Sequence, residues 1–220
     1  MKQIVGSAWD EDGKRLHIVD WNSKFISAPK VDPDTQKAPI APAAAISSAV
    51  GRTSGEVKAL VALLGGTGLR VSEALTLRLG PDDGVGSFWD PTAATFTVRG
   101  TLVDGQIQNA TKTRAGKRVV DLAPELNDFL KATVTSVEGR IFRMSHRTLR
   151  RRIEKLGIHG FHSMRRFRIT HLQNESVPPM LVKFWAGHAA GDISERYTKF
   201  GEMVRERKDW SNKAGLGFSL

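Results

Sequence analysis

His162 and Arg165, in the segment HSMRR, have the types and spacing that suit phosphate chemistry. Of the six histidines in the sequence, only His162 is followed by an arginine three residues later, the spacing that places two side chains on one face of a helix. A guanidinium fork neutralises the charge that develops on a pentacoordinate phosphate, while an imidazole transfers a proton. The alternative is a helix N-terminus with a capped histidine and a solvated arginine.

Two further cations follow predicted turns. Arg70 comes directly after the glycine-rich segment GGTGL, and Glu73, three residues later, is placed to hold its guanidinium by a salt bridge. Lys112 lies at the mouth of a predicted hairpin, from which a long ammonium side chain reaches a phosphate or a leaving oxygen. The alternatives are a surface ion pair after a turn and an ordinary charged hairpin.

Tyr197 is the only tyrosine of the chain and lies nine residues after His188, in GHAAGDISERY. A phenol has a reference pKa of about 10, so as a nucleophile it needs cations nearby and a group that accepts its proton. The alternative for a lone tyrosine is a packing residue.

The segments TGLRVSE, TKTRAGKR, HSMRR, GH and the tyrosine occur in the order and spacing of the catalytic motifs of the tyrosine recombinase (phage-type integrase) family. The chain resembles this family over about residues 46–200. The resemblance implies a mostly helical α+β catalytic domain, a helical bundle with a small antiparallel sheet. It also implies a site-specific DNA recombinase that cleaves and rejoins DNA through a covalent 3′-phosphotyrosine, without ATP.

The resemblance assigns roles to the residues that match the motifs. It implies that Arg70 and Arg165 clamp the non-bridging oxygens of the scissile phosphate, and that Tyr197 is the nucleophile. Lys112 is then the general acid that protonates the leaving 5′ oxygen.

The remaining roles are supporting ones. The resemblance implies that His162 assists proton transfer, that His188 hydrogen-bonds the phosphate or orients its neighbours, and that Glu73 orients Arg70. It implies no metal and no cofactor, because the arginines, the lysine and the histidines supply the charge that Mg²⁺ supplies in nucleases.

Basic residues outside the motifs are predicted to contact the DNA backbone, where contacts position a protein without reading the base sequence. The alternative for the helical ones is a solvated basic helix. They lie in the segment HRTLRRRIEKLG and in the predicted hairpin: Arg147, Arg150, Arg151, Arg152, Arg114, Lys117 and Arg118.

Composition supports a polyanionic partner. The formal net charge is +10, from 33 lysines and arginines against 23 acidic residues, which favours nucleic acid before an anionic membrane surface. The absence of cysteine excludes disulfides, thiolate zinc sites and a cysteine nucleophile. The sequence has neither a signal-peptide pattern nor an apolar stretch long enough to span a bilayer. We therefore expect a cytoplasmic protein that associates with the nucleoid when it binds double-stranded DNA.

The elements that must position these residues follow a mixed pattern. TSGE predicts a capping box that opens a helix through VKALVALLGG, ended by the glycine pair, and LRVSEALTLRL predicts a second helix. From residue 94, alternating β-branched residues with turn signals at DG (104) and AG (115) predict a three-stranded antiparallel sheet. Helical periodicity returns in PELNDFLKATV, SHRTLRRRIEKLG, SMRRFRITHLQNES and VPPMLVKFWAGH.

The predicted organisation has two parts. Residues 1–45 are an N-terminal arm and linker, because residues 28–45 contain four of the nine prolines. Residues 46–220 are the catalytic domain with a C-terminal tail helix. Trp210, Leu216 and Phe218 are its predicted anchors, on the helix's own domain or on a neighbouring protomer.

The chain departs from the family in one respect. Most members carry a separate helical domain before the catalytic domain, whereas only about 45 residues precede it here. We expect either a fragment of a longer recombinase or a minimal form, tetrameric on DNA, with a monomer in isolation as an alternative. Two other functions stay open: DNA relaxation of the type IB topoisomerase kind, and a non-catalytic DNA-binding regulatory module of the same fold.

Overall fold

The computed structural model describes residues 9–14, 39–109, 116–135, 139–188 and 199–220. The chain divides into two units, Met1–Ala38 and Pro39–Leu220. In the first unit the structure describes one turn, in which the Asp10 carboxylate accepts the backbone N–H groups of Asp12 and Lys14. The second unit begins at Pro39, so the predicted boundary at residue 46 falls inside its first helix.

The second unit is built mainly of helices. In the part of the chain that the structure describes, the helices are α1 (Ala43–Arg52), α2 (Gly55–Thr67), α3 (Val71–Ala74), α4 (Pro124–Thr133), α5 (His146–Glu154), α6 (Phe161–Asn174), α7 (Pro179–Ala186) and α8 (Val204–Ala214). Because α2 contacts α1, α4 and α6 and is buried along most of its length, it forms the centre of the hydrophobic core. The four helices predicted after Pro124 are confirmed as α4 to α7.

The glycine pair of α2 lies inside the helix, so the prediction that it ends the helix is wrong. A Cβ atom on Gly66 would lie 2.7 Å from a Leu126 methyl group and 3.1 Å from a Leu216 methyl group. The pair is therefore explained by close helix packing. The helix ends at Gly68, which has a left-handed conformation (φ 69°) and donates its N–H to the Leu64 carbonyl.

The predicted capping box of α2 is also wrong. Ser54 is the N-cap residue and its side chain makes no cap hydrogen bond. The Glu56 carboxylate instead accepts the backbone N–H groups of Arg143 and Met144, at 3.0 and 2.9 Å. The Glu56 carboxylate therefore makes a tertiary contact instead of the local capping-box hydrogen bond.

The sheet has five strands rather than the predicted three. The described strands are β1 (Leu77–Leu79), β2 (Ser87–Asp90), β3 (Thr95–Val98), β4 (Thr101–Val103), β5 (Gln106–Gln108), β6 (Arg118–Asp121) and β7 (Gly139–Arg140). The strand order of the sheet is β6-β3-β2-β1-β7, with β1 and β2 parallel and the other neighbours antiparallel. Strands β4 and β5 form a separate hairpin whose turn is the predicted Asp104–Gly105, with φ values of 48° and 79°.

Strand β1 lies in a segment predicted to be helical. The helix there is confined to Val71–Ala74, and the chain enters the sheet at Leu77. Strands of two to four residues show too few alternations to be recognised by their periodicity.

The C-terminal tail packs on its own domain. Leu216 is buried, and the Phe218 ring lies 6.1 Å from the Phe167 ring and against Gly65. Trp210 is half-buried and lies 4.8 Å from the Lys213 ammonium. No helix among the described residues combines the length and apolarity that a bilayer crossing requires.

Candidate active site

Arg70 and Glu73 are placed by the turn that separates two helices. The left-handed Gly68 ends α2, and Arg70 becomes the N-cap residue of the short helix α3. The predicted salt bridge forms: Arg70 Nη1 lies 3.0 Å from Glu73 Oε1, and the Arg70 backbone N–H donates to Glu73 Oε2 at 2.9 Å. The Glu73 side chain is buried, whereas that of Arg70 is 35% exposed. The salt bridge therefore holds an arginine that still reaches the surface.

Arg118 is the second arginine that Glu73 binds. Its Nη1 and Nη2 atoms donate to the two carboxylate oxygens at 3.2 and 3.0 Å, and its other hydrogen bonds go to the carbonyls of Trp185 (2.7 Å) and Gly116 (2.8 Å). The side chain is fully buried. The prediction that Arg118 contacts DNA is therefore corrected, because its guanidinium is buried and donates its hydrogen bonds to these acceptors.

The sequence contained a signal for this burial. Arg118 and Val120 are two residues apart in β6, so they share a face of the sheet, and both are buried. Lys117, one position earlier, is exposed and keeps the predicted DNA-facing role as a proposal.

The carboxyl group of Glu73 stays ionised despite its burial. Burial by itself raises its pKa, but the hydrogen bonds and charges of Arg118 and Arg70 together hold the pKa below its ordinary value. At neutral pH the group is therefore a fixed negative charge, which suits an orienting role and not that of a base.

Arg165 joins two helix ends. From α6, its Nη1 donates to the Gly68 carbonyl at 2.7 Å and its Nη2 to the Ala186 carbonyl at 2.6 Å. These carbonyls lie at the C-terminal ends of α2 and α7, where the helix dipole favours a cation. Burial lowers the pKa of Arg165 to about 10, and the Arg70 charge acts in the same direction. The guanidinium therefore stays protonated at neutral pH.

His162 and His188 lie close to the same arginines. His162 is in the first turn of α6, and His188 follows the end of α7. Partial burial and the charges of Arg165 and Arg70 lower the pKa of both imidazoles below the ordinary 6.5. Both rings are therefore neutral at pH 7, the state in which an imidazole accepts a proton. The structure thus brings together four of the six residues predicted to be catalytic.

Two features of the structure require glycine at position 187 of the GH motif. Gly187 caps α7 in the left-handed conformation (φ 66°), and the following N–H of His188 donates to the Lys183 carbonyl at 3.0 Å. A Cβ atom at Gly187 would lie 2.6 Å from Arg118 Nη1. Glycine therefore lets the end of α7 lie directly on the buried guanidinium.

Three predicted site residues, Lys112, Arg114 and Tyr197, lie outside the described residues. Their predicted roles stay predictions. Within the described part of the chain, no three histidine, aspartate or glutamate side chains cluster in a way that would hold a metal ion.

Helix α5 presents basic side chains to solvent. Leu149 and Ile153 are buried and attach the helix to the core. The Arg150 Nε atom pairs with Glu154 at 2.8 Å on the exposed surface. The predicted DNA-contact residues of this helix are all exposed: Arg147, Arg150, Arg151 and Arg152.

The convergent site has the chemistry of an anion receptor. Arg70 and Arg165 supply guanidinium groups, and His162 and His188 supply neutral imidazoles. The guanidinium groups can neutralise the charge of a phosphate or sulfate ester, and the imidazoles can transfer protons to or from it.

No protein-family model and no curated protein sequence matches the chain. Among solved structures, the fold is similar to that of the Tn1549 transposon integrase (amino acids 82–397) in complex with transposon right-end DNA. The TM-score is 0.51 and the sequence identity is 17%. The similarity covers 87% of this chain and 65% of that chain, so this chain spans less than two thirds of the solved integrase chain. At this identity, the comparison establishes similarity of fold.

Proposed function

We propose that this chain is a tyrosine-type DNA recombinase that cleaves and rejoins double-stranded DNA through a 3′-phosphotyrosine at Tyr197. The observation that carries the proposal is that three separate segments of the chain bring Arg70, the His162–Arg165 pair and His188 close together. The fold similarity to a transposon integrase bound to DNA agrees with it.

The proposed reaction is a transesterification. The Tyr197 phenol oxygen attacks the phosphorus, a P–O bond to tyrosine forms, and the bond to the 5′ oxygen breaks. The phenolic proton passes to His162, and the leaving oxygen takes a proton from Lys112. Because the phosphoester bond is conserved in the intermediate, attack by a 5′ hydroxyl reverses the step and rejoins the strand.

The described residues supply the charge stabilisation in this scheme. Arg165 uses one N–H from each of Nη1 and Nη2 for the carbonyls of Gly68 and Ala186, and a guanidinium has five N–H groups. Its remaining N–H groups are the ones that we expect to meet the phosphate. Arg70, held by Glu73, supplies the second fork from the exposed side. Preorganised charge of this kind is commonly the largest contribution to catalysis.

The proposed DNA partner is bound by surface cations. The exposed arginines of α5 and Lys117 are the described residues that we assign to the phosphate backbone. We propose assembly on DNA as a tetramer, the state in which strands are exchanged between sites.

A covalent trap tests the proposal. The protein is mixed with a pool of duplexes that are randomised around a nick, so that the short cleaved fragment diffuses away and rejoining fails. We expect a complex that survives denaturing electrophoresis and is lost in Tyr197→Phe, while Tyr197→Phe still binds DNA. Sequencing of the trapped DNA then gives the target site.

Two outcomes would contradict the proposal. A wild-type protein that binds the pool but forms no covalent complex would favour the non-catalytic DNA-binding module. A complex that forms equally in Tyr197→Phe would move the nucleophile to another residue.

A further inference from the structure

The Asp121 carboxylate joins two helices that flank the tyrosine in sequence. Asp121 lies at the end of β6, and its Oδ2 atom accepts Trp185 Nε1 at 2.9 Å from α7. The same oxygen accepts Arg207 Nε at 2.8 Å, and Oδ1 accepts Arg207 Nη2 at 3.3 Å, from α8. All three side chains are buried. One carboxylate therefore holds both the helix that precedes residues 189–198 and the helix that follows them.

Arg207 also reaches the chain directly before its own helix. Its Nη1 atom donates to the carbonyls of Phe200 and Gly201, the latter at 3.0 Å. The Phe200 ring lies 5.7 Å from the Phe184 ring of α7, and the Arg207 guanidinium lies 5.8 Å from the same Phe184 ring. These contacts fix the backbone three residues after Tyr197 relative to α7.

The polar character of this network indicates a geometric role. A buried ion pair adds little net stability, because the desolvation of both charges offsets their attraction. An apolar contact would attach α8 to β6 at a lower desolvation cost. Directional hydrogen bonds, in contrast, fix the orientation of the groups that they join. Arg207 uses all three guanidinium nitrogens for this purpose.

We propose that Asp121 and Arg207 are positioning residues for the cleavage step. They fix, within one chain, the two described ends that flank the tyrosine: Trp185 to His188 on one side and Phe200 to Arg207 on the other. The inference rests on the proposed function, and it deepens it by naming two residues that affect cleavage through the described ends on either side of the tyrosine. Neither residue touches the phosphate in this scheme.

The test compares cleavage rate with DNA affinity. For Arg207→Met, single-turnover adduct formation at saturating DNA is expected to fall about 10²-fold, because misplacement by about 1 Å has that effect. DNA affinity, measured by fluorescence anisotropy, is expected to stay within about threefold, since the Arg207 side chain is buried and its guanidinium binds groups of its own chain. Arg207→Lys keeps a charge for Asp121 but loses the fork, so we expect partial recovery of the rate.

Ser211→Ala is the matched control. Ser211 lies on the same helix, is buried, and its hydroxyl donates to the Asp121 backbone carbonyl at 3.3 Å, not to the carboxylate. We expect the wild-type adduct rate in this variant. Asp121→Asn keeps an acceptor for Trp185 and removes the charge, so it decides the question if Arg207→Met does not fold.

The outcomes separate this inference from the function on which it rests. No Tyr197-dependent adduct in the wild type would overturn both. If the wild type forms the adduct and folded Arg207→Met or Asp121→Asn forms it equally fast, the positioning role alone would be overturned. The same holds if these variants lose only DNA affinity.

Discussion

Glu73 binds two arginines that lie in different surroundings. Arg70 is 35% exposed, whereas Arg118 is fully buried and also donates to the carbonyls of Trp185 and Gly116. Because Arg118 is fixed on three sides, it fixes the carboxylate, and the carboxylate in turn orients the exposed Arg70. A buried residue therefore determines the direction of the arginine that we expect to meet DNA.

The first residue-scale prediction concerns Arg70. Arg70→Ala is expected to slow covalent adduct formation about 10²- to 10³-fold, because one charge-stabilising group is removed from the transition state. The measurement is single-turnover cleavage of the trapped site under saturating DNA. Arg205→Ala is the control, because the Arg205 side chain is 92% exposed on α8. This variant should cleave at the wild-type rate. A rate unchanged in Arg70→Ala would remove Arg70 from the clamp.

The second residue-scale prediction concerns pH. The pKa of Glu73 is lower in the folded protein than its ordinary value of 4.5, so the unfolded chain binds more protons between the two values. The stabilisation is fully present above about pH 4.5 and is lost as the pH falls through the folded-state pKa. Glu73→Gln is expected to lower the free energy of unfolding by about 3 kcal/mol near pH 7, since it leaves Arg118 buried without its counter-ion.

Urea unfolding of wild type and Glu73→Gln between pH 7 and pH 3 checks this. The difference between the two proteins should shrink on acidification. A difference that is constant with pH would mean that Glu73 has the same pKa in the folded and the unfolded chain. A difference that grows on acidification would mean that the folded protein holds the carboxyl protonated, contrary to its ion pairs.

At the scale of elements, the site is built from helix ends. Both α2 and α7 end at a left-handed glycine, Gly68 and Gly187, and both ends present a carbonyl to Arg165. The glycines direct the chain sharply away from each helix axis. Arg70 and His188, which follow these two turns, are therefore both close to the Arg165 guanidinium.

Substitution of two left-handed glycines, Gly187 and Gly157, tests this arrangement. Gly187→Ala is expected to destabilise the protein by about 2–4 kcal/mol, from left-handed strain plus the clash with Arg118. Gly157→Ala is the matched control, because Gly157 has φ 83° and open space around its Cα hydrogen. It should cost only the strain, about 1–2 kcal/mol. Equal losses, measured by urea unfolding, would show that the contact with Arg118 has no energetic weight.

At the scale of the whole molecule, the C-terminal tail completes the core of its own domain. Leu216 and Phe218 pack against α2 where Gly65 and Gly66 leave room. On α6, Arg168 and His171 bind the carbonyls of Gly215 and Ala214, at 2.5 and 2.8 Å. The helix that carries His162 and Arg165 therefore also holds the tail.

Leu216→Ala tests the docking of the tail. Deletion of this buried side chain is expected to cost about 2–5 kcal/mol. Leu220→Ala, at 39% exposure in the same tail, should change stability by less than about 0.5 kcal/mol. The thermal midpoint of the wild type is expected to be independent of protein concentration. A midpoint that rises with concentration would show that the tail docks on a second copy.

Sequence patterns predicted those features that depend on near neighbours in the chain. The Arg70–Glu73 pair and the Asp104–Gly105 turn are examples, because their residues are close in the chain and the folded structure keeps the local interaction in place. The four later helices follow from their periodicity in the same way. The order of the motifs also predicted that Arg70, Arg165 and His188 lie close together.

The partner of each polar group depends on the folded structure. Glu56 binds Arg143 and Met144 instead of capping its own helix, and Arg118 is buried instead of facing DNA. The sheet gained strands of two to four residues, each too short to show its period. The Asp121–Arg207 pair has no local signal, since its two members lie far apart in the sequence. A hydrogen bond depends on distance in space, and for such pairs only the folded chain determines that distance.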